Sequence, residues 1–534
     1  MDEKIAEKYE SLMRGESVGG AIGIMPPLSS FDFDNHFMKT LETILSLDFE
    51  DVKEFMHCSE ESENDIAERI AGRCSVSQEE ILGILILIKV RFKRMNTPEV
   101  PDDSMFGGCD TQAKEEVEYS PDGKTLLSAR NVEHFTIPDS VTKIESRSFM
   151  FCSSLKDVII PDSVTEIGEY AFANCGLLED ITIPDTVSKI GWGAFSGCRS
   201  LKRVIIPDSV KEIGEEAFSG CTSLEEIRIS SSVNTIGRFA FNGCPSVSFD
   251  VDERNESFSS KDGALFDKDG KTLILGYAMV RNGCCSIPDS VTKIGSGAFV
   301  QCGSLNEVHM PESVTEIDDE AFMGCSSLWN IDIPNSVRRI GAYAFCGCVF
   351  LEEICLPDFV TSIEWGTFEG CTSLKTVGLP VCLKEIEGGA FNDCKSLMDV
   401  DIPDSVENID CEAFEGCSSL ENVHLSDSLT SMGSHAFYGC ASLRSICLPD
   451  SVTEINDSVF SGCASLLEMR IPDSVSKIGE FAFYQCTSLR KVVIPDSVTK
   501  IGDRAFEGCC PTCFEVDEGN EFYESIDGRL AEKN

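Results

Sequence analysis

The residues of this 534-residue chain with the most intrinsic reactivity are its 27 cysteines and six histidines, and their spacing decides what they can do. The histidines stand at 36, 57, 134, 309, 424 and 435, and none keeps a regular offset from a serine or cysteine that it could activate as a base. His309 and His424 share a slot five repeats apart, about 24 Å at a strand spacing near 4.8 Å, too far for joint catalysis or a shared metal. Fifteen cysteines recur in one slot, at 152, 175, 198, 221, 244, 302, 325, 348, 371, 394, 417, 440, 463, 486 and 509. A catalytic thiol is placed once, whereas a thiol repeated this way reads as a column of small core residues. Cys510 and Cys513 make a C-x-x-C pair, but no second pair lies near enough in sequence to complete a tetrahedral zinc site. The "DGKT" at 122–125 and 269–272 copies only the tail of a phosphate loop, and "DKDG" at 267–270 lacks the other ligand positions of a calcium loop. Asp-Ser in "PDSV" recurs in nearly every repeat, which suits turn chemistry better than nucleophilic chemistry. No catalytic residue, metal ligand or cofactor is implied.

The elements that carry these residues repeat as well. Aligned on the residue before Pro, units start at 137, 160, 183, 206 and 229, then at 287, 310, 333, 356, 379, 402, 425, 448, 471 and 494, a 23-residue period with one break. Within one unit, Leu155, Val158 and Ile160 fit a short strand. Pro161 ends it, because it has no N–H and a fixed φ, and Asp162 and Ser163 turn the chain. Val164 and Ile167 predict a second extended piece, and "EYAFANC" a helical or irregular turn that carries Phe172 and Cys175 inward. A single unit cannot cover these apolar residues, but stacked units bury one another.

The positions Ile160, Pro161, Ser163, Val164, Thr165, Ile167, Gly168, Ala171, Phe172 and Cys175 resemble the BspA-like leucine-rich repeat family over roughly residues 115–530. Ser230 and Ser426 in place of Pro, and Val459 in place of the small residue before Phe460, are local departures. The resemblance implies a right-handed leucine-rich-repeat solenoid with stacked parallel strands. It also implies, as the second functional reading, a cell-surface adhesin or antigen that binds host or matrix proteins.

The expected organisation is a small α-helical N-terminal region and linker at 1–112, a hairpin-like cap at 113–136 and repeats 1–5 at 137–248. A β-hairpin insertion follows at 249–286, then repeats 6–15 at 287–513 and a C-terminal cap at 514–534. "VEYSPDGKTLLSA" at 117–129 resembles the second half of the insertion, and "FEVDEGNEFYESIDGRL" at 514–530 the first half, as the modified end units of a solenoid would. A formal charge of −47 opposes nucleic acid and anionic membranes as partners and admits a basic protein. No apolar run approaches the ~20 residues of a membrane-spanning helix. The polar first residues and the thiol content predict a cytoplasmic protein, with the cell surface as the alternative, where sequons at Asn255 and Asn456 would fit.

What varies while the framework repeats is the outward slot of the first strand. Arg228, His309, Asp332, Asp401, His424 and Arg470 fall in that row, with Trp329 beside it. Trp and Arg are enriched at interface hot spots. Fifteen strands would extend this face to about 70 Å. The functional expectation is a non-enzymatic protein-binding solenoid that engages its partner through those seven residues. Trp192 and Trp365 share another slot, read as packing on a different side.

Overall fold

The computed structural model describes residues 115–509 and 513–533. The helical region expected over 1–112 and Cys510 of the C-x-x-C pair lie outside the described residues. Among the described residues there is no α-helix; one 3-10 turn, Tyr277–Met279, is the only helical element.

Each 23-residue unit is one coil of a right-handed solenoid of stacked parallel strands. The strand Asp157–Ile159 pairs with Asp180–Ile181 of the next coil, Val158 opposite Ile181, and Glu166–Ile167 pairs with Lys189–Ile190, Ile167 opposite Ile190. A register of 23 keeps every apolar residue under its own copy, so alternation of side chains along the strand leaves one face buried and the other in water. The burial pattern of Asp157–Ile159 is exposed, buried, exposed, and it recurs in most first strands.

The third side of the coil is the arc that carries Phe172 and Cys175. It is an irregular turn rather than a helix because it bonds to the next coil instead of to itself: Tyr170 N–H donates to the Trp192 carbonyl at 2.7 Å, Phe172 N–H to Ala194 at 2.7 Å and Asn174 N–H to Ser196 at 2.6 Å. This pattern of alternate outward N–H groups requires two left-handed residues per arc. Tyr170 (φ 53°) and Asn174 (φ 59°) fill them here, and Gly193 and Gly197 fill them in the next coil. Glycine takes such a φ without strain, which accounts for the "SGC" and "EGC" ends of many arcs.

The core is built from identical rows. Phe172, Phe195 and Phe218 stack in parallel with centroids 5.2 Å apart. Cys175, Cys198 and Cys221 are fully buried, and each thiol donates to the phenylalanine carbonyl of the preceding coil at 3.1–3.2 Å. Burial pushes the Cys198 and Cys463 thiols up to about 12, so they are inert core groups at neutral pH. The Ser163 hydroxyl donates to the Val141 carbonyl at 2.6 Å, and Thr186, in the same slot of the next coil, donates to the Val164 carbonyl at 2.6 Å. The repeated hydroxyl is therefore a staple between coils.

Antiparallel hairpins interrupt the parallel stack in three places. Glu116–Tyr119 pairs with Thr125–Arg130, and the latter runs parallel to Lys143–Ile144 of the first coil. Phe258–Lys261, Ala264–Asp267 and Thr272–Leu275 form a three-stranded meander whose last strand pairs with Lys293–Ile294. Tyr523–Ile526 pairs with Arg529–Glu532 at the far end. The "DKDG" segment is a turn in which Asp267 accepts from the N–H groups of Gly270 and Lys271. Asn255 of the first sequon is completely buried and spends its amide on internal hydrogen bonds, so it is no glycan acceptor.

Candidate binding face

The outward slots of the first strands lie in line because the strands are in register. Arg228 lies on Glu226–Ile229 and forms an ion pair of 3.8 Å with Asp250 of the neighbouring strand. His309 ends Glu307–His309, directly opposite Asp332 of Asn330–Asp332. Asp401 ends Asp399–Asp401, directly opposite His424 of Asn422–His424. Arg470 ends Glu468–Arg470, opposite Val493. All six are exposed.

Trp329 immediately precedes Asn330–Asp332. Its backbone N–H is held by the Asn306 carbonyl at 3.1 Å, while its side chain is 53% exposed. The structure thus sets His309 against Asp332 at the ends of two adjacent strands, with Trp329 immediately before the second of them beside Asn306, and sets Asp401 against His424 on another two coils. Arg228 stands on the other side of the 249–286 segment, and Arg470 two coils beyond His424. The row is a set of local pairs rather than one constellation.

Charges on the same face are arranged by the 23-residue register. Lys156 pairs with Glu133, Lys202 with Glu179 at 3.0 Å, Lys375 with Glu352 at 2.7 Å and Arg444 with Glu421 at 3.2 Å. Asn330 donates to Glu307 at 2.9 Å and Asn422 to Asp399 at 2.7 Å. Exposed cross-strand pairs of this kind contribute about 0.2–1 kcal/mol each. They pair part of the charge of the strand surface, on which Trp329 is an exposed apolar residue, with Met398 and Leu467 three and six coils on in the same slot. Met398 and Leu467 were missed in the sequence, although their 23-residue multiples from Trp329 mark them.

The second sheet carries its own network. Arg339 bonds to Asp318 at 2.8 Å, Asp319 at 2.7 Å and Glu364 at 2.8 Å, and Lys293 reaches Glu316 at 3.1 Å and Asp318 at 2.8 Å. Trp192 and Trp365 project from the turn after this sheet, both partly exposed.

A titratable cluster on the arc side also escaped the sequence reading. Burial, then the charge of Glu369, pushes the Glu412 carboxyl up to about 7, and burial with the charge of Asp393 raises Glu369. Their residues fall in different slots of the arc, so no linear pattern joins them. A carboxyl raised on folding binds its proton more tightly in the folded state, so stability falls as pH rises from the ordinary value of 4.5 to about 7. With the half-exposed position allowed for, Glu412→Gln is expected to stabilise the protein by about 1 kcal/mol at pH 8 and about a quarter of that at pH 5. Denaturant titrations at the two pH values check this; an equal gain at both would refute the assignment. Among the described residues, no group of three or more His, Cys, Asp or Glu is arranged to hold a metal ion.

The coil geometry is that of a known repeat. The sequence matches the BspA type leucine rich repeat region in six copies, over residues 123–248, 283–398 and 384–512. The chain belongs to the BspA-type leucine-rich repeat family. This BspA-type chain is similar to a leucine-rich repeat protein of Bacteroides ovatus, with 31% identity over 76% of this chain and 99% of that one and a TM-score of 0.47. It is similar to the pneumococcal vaccine antigen PcpA, with 26% identity over 64% of this chain and 76% of that one and a TM-score of 0.46. A leucine rich cell surface protein of Faecalibacterium prausnitzii shares 28% identity over 79% of this chain and 96% of its own, with a TM-score of 0.35. No curated protein matches the sequence. The family matched is a repeat family, and no catalytic family is indicated.

The expectation of a cytoplasmic protein is corrected by these relatives, which include a cell surface protein and a vaccine antigen. The physical reason is that the thiol column carries no information about compartment. Its sulfurs are buried and bonded to backbone carbonyls, so they pack as core whether the surroundings are reducing or oxidising.

Proposed function

We propose that this BspA-type chain is a non-enzymatic binding protein that engages a protein partner at a cell surface, as an adhesin or antigen does. The contact is made through the first-strand face around Trp329. The observation that carries the reading is the exposure of Trp329 in a slot where Lys202 with Glu179, Lys375 with Glu352 and Arg444 with Glu421 are paired coil to coil. An indole left half in water immediately before the strand that ends in Asp332 gains most by being covered, and aromatic anchors dominate the energetics of protein interfaces. Asp401 and His424 extend the contact along the row, and Arg470 and Arg228 lie at its flanks. The surface location is supported by membership of the repeat family, in which the similar solved proteins include a vaccine antigen and a cell surface protein. The excess of acidic residues favours a partner with a basic surface.

Capture of surface-protein or matrix ligands by the full chain tests the reading. Trp329→Ala is expected to weaken capture about tenfold or more while leaving the unfolding midpoint in place. Unchanged affinity would remove Trp329 from the contact, and absence of the chain from the surface of labelled intact cells would remove the proposed location.

A further inference from the structure

The segment between the two runs of coils repeats the principal bonds of the two ends of the described solenoid. At the far end, Asn520 is buried; its amide donates to the carbonyls of Pro495 at 2.8 Å and Val498 at 3.0 Å, and its oxygen accepts from Phe522 and Tyr523 N–H. In the middle, Asn255 is buried; its amide donates to Ser230 at 2.8 Å and Val233 at 2.9 Å, and its oxygen accepts from Ser257 and Phe258 N–H. Lys533 bonds the Asn520 carbonyl as Lys268 bonds that of Asn255. The last stacked ring of each run meets an edge-on phenylalanine: Phe506 with Phe514 at 5.0 Å and 79°, Phe241 with Phe249 at 5.0 Å and 80°.

The beginning is copied too. Glu116–Tyr119 pairs with Thr125–Arg130 with a bulge between Glu118 and Tyr119, and Ala264–Asp267 pairs with Thr272–Leu275 with a bulge between Leu265 and Phe266. Tyr119 faces Leu126, and Phe266 faces Leu273. Leu126 then accepts from Glu145 N–H at 3.0 Å, and Leu273 from Gly295 N–H at 2.8 Å. The first thiol of each run, Cys152 and Cys302, lies beside a serine two residues on, at 3.8 and 3.7 Å. Ala264–Asp267 serves both copies: it is the second strand of the closing hairpin and the first strand of the opening one.

We infer that residues 249–286 are an end cap fused through one shared strand to a start cap, so that the chain carries two closed solenoids in tandem, one of five coils and one of ten. A cap ends a stack by replacing the next coil's backbone partners and apolar cover, so the junction transmits less of the nearest-neighbour coupling that makes repeat arrays cooperative. The parallel ring column runs from Phe149 to Phe241 and starts again at Phe299. An Arg238–Glu320 ion pair of 2.7 Å crosses the joint, while the Tyr277 hydroxyl, which donates to the Val300 carbonyl, ties the opening cap to the second run. The two modules present separate strand faces, Arg228 on the first and the other six row residues on the second.

The three tryptophans report the modules separately, Trp192 in the first and Trp329 and Trp365 in the second. In the full chain, urea unfolding is followed by fluorescence in two backgrounds, Trp329→Phe with Trp365→Phe, and Trp192→Phe. Leu155→Ala is expected to lower the midpoint seen by Trp192 by roughly 0.5–1 M and leave the other in place, and Leu443→Ala to do the reverse. The milder Ile167→Val and Ile455→Val repeat the comparison should either alanine variant fail to fold. A single transition that both reporters follow, shifted by either substitution, would overturn the inference.

Discussion

Phe391→Ala is expected to destabilise the solenoid by about 3–5 kcal/mol, the cost of emptying a large, fully packed site. Phe391 is inaccessible to solvent and its ring is sandwiched between Phe368 at 5.4 Å and Phe414 at 5.2 Å. Both neighbours lose a stacking partner as well as buried area, and each aromatic contact adds about 0.5–1.5 kcal/mol beyond the area term. The rows cannot collapse into the gap, because the arc backbone on either side is tied coil to coil: Phe368 N–H to the Ala390 carbonyl and Phe391 N–H to Ala413, both at 2.8 Å. Denaturant titration measures the loss. Phe350→Ala, at a position 60% exposed, is the control and should change stability by less than about 0.5 kcal/mol. Similar losses for the two variants would mean that the phenylalanine column is not the core.

Asn520→Ala should release the C-terminal cap. The substitution leaves the carbonyls of Pro495 and Val498 and the N–H groups of Phe522 and Tyr523 without the side chain that joins them. Each orphaned buried group costs about 1–3 kcal/mol, although water can reach some of them once the hairpin loosens. A net loss of about 3 kcal/mol local to the cap corresponds to amide exchange about a hundredfold faster across Tyr523–Glu532, which hydrogen-exchange mass spectrometry reads directly. Protection unchanged from the parent would show that the asparagine does not hold the cap. Asn520→Asp is informative beside it: a buried carboxylate oxygen would face the Pro495 and Val498 carbonyls in place of the two donors, so exchange at least as fast as in Asn520→Ala is expected.

The solenoid was legible because one row of residues does the same work in every coil. Leu155, Val158, Ile160, Val164, Ile167, Phe172 and Cys175 are all buried, as their spacing predicts. The arc was harder to read. "EYAFANC" has residues compatible with a helix, and Tyr170 in a left-handed conformation gives no sign of itself as glycine would; only comparison with Gly193 in the same slot of the next coil exposes the requirement. The charge pairs were present in the sequence as Glu133, Lys156, Glu179 and Lys202, each 23 apart, but they become interactions only once the register is known. The candidate face was legible as a list and not as a geometry. His309 and Asp332 differ by the repeat length and therefore face each other, a neighbourhood hidden when the slot is read one residue at a time. Glu412 and Glu369 were beyond reach, since their coupling depends on how far the arc exposes each carboxyl.

The in-register stacking bears on how such a protein changes length. Because each residue's partners sit 23 positions before and after it, excising one whole coil would rejoin surfaces that already match, and duplicating one would insert a ready-made copy of the same seam. A gain or loss that is not a whole number of coils would rotate the apolar rows out of alignment unless a capping segment like 249–286 intervened. The lineage of this gene can therefore lengthen or shorten its reach in steps of one rung, about 4.8 Å at a time, without redesigning the cross-section.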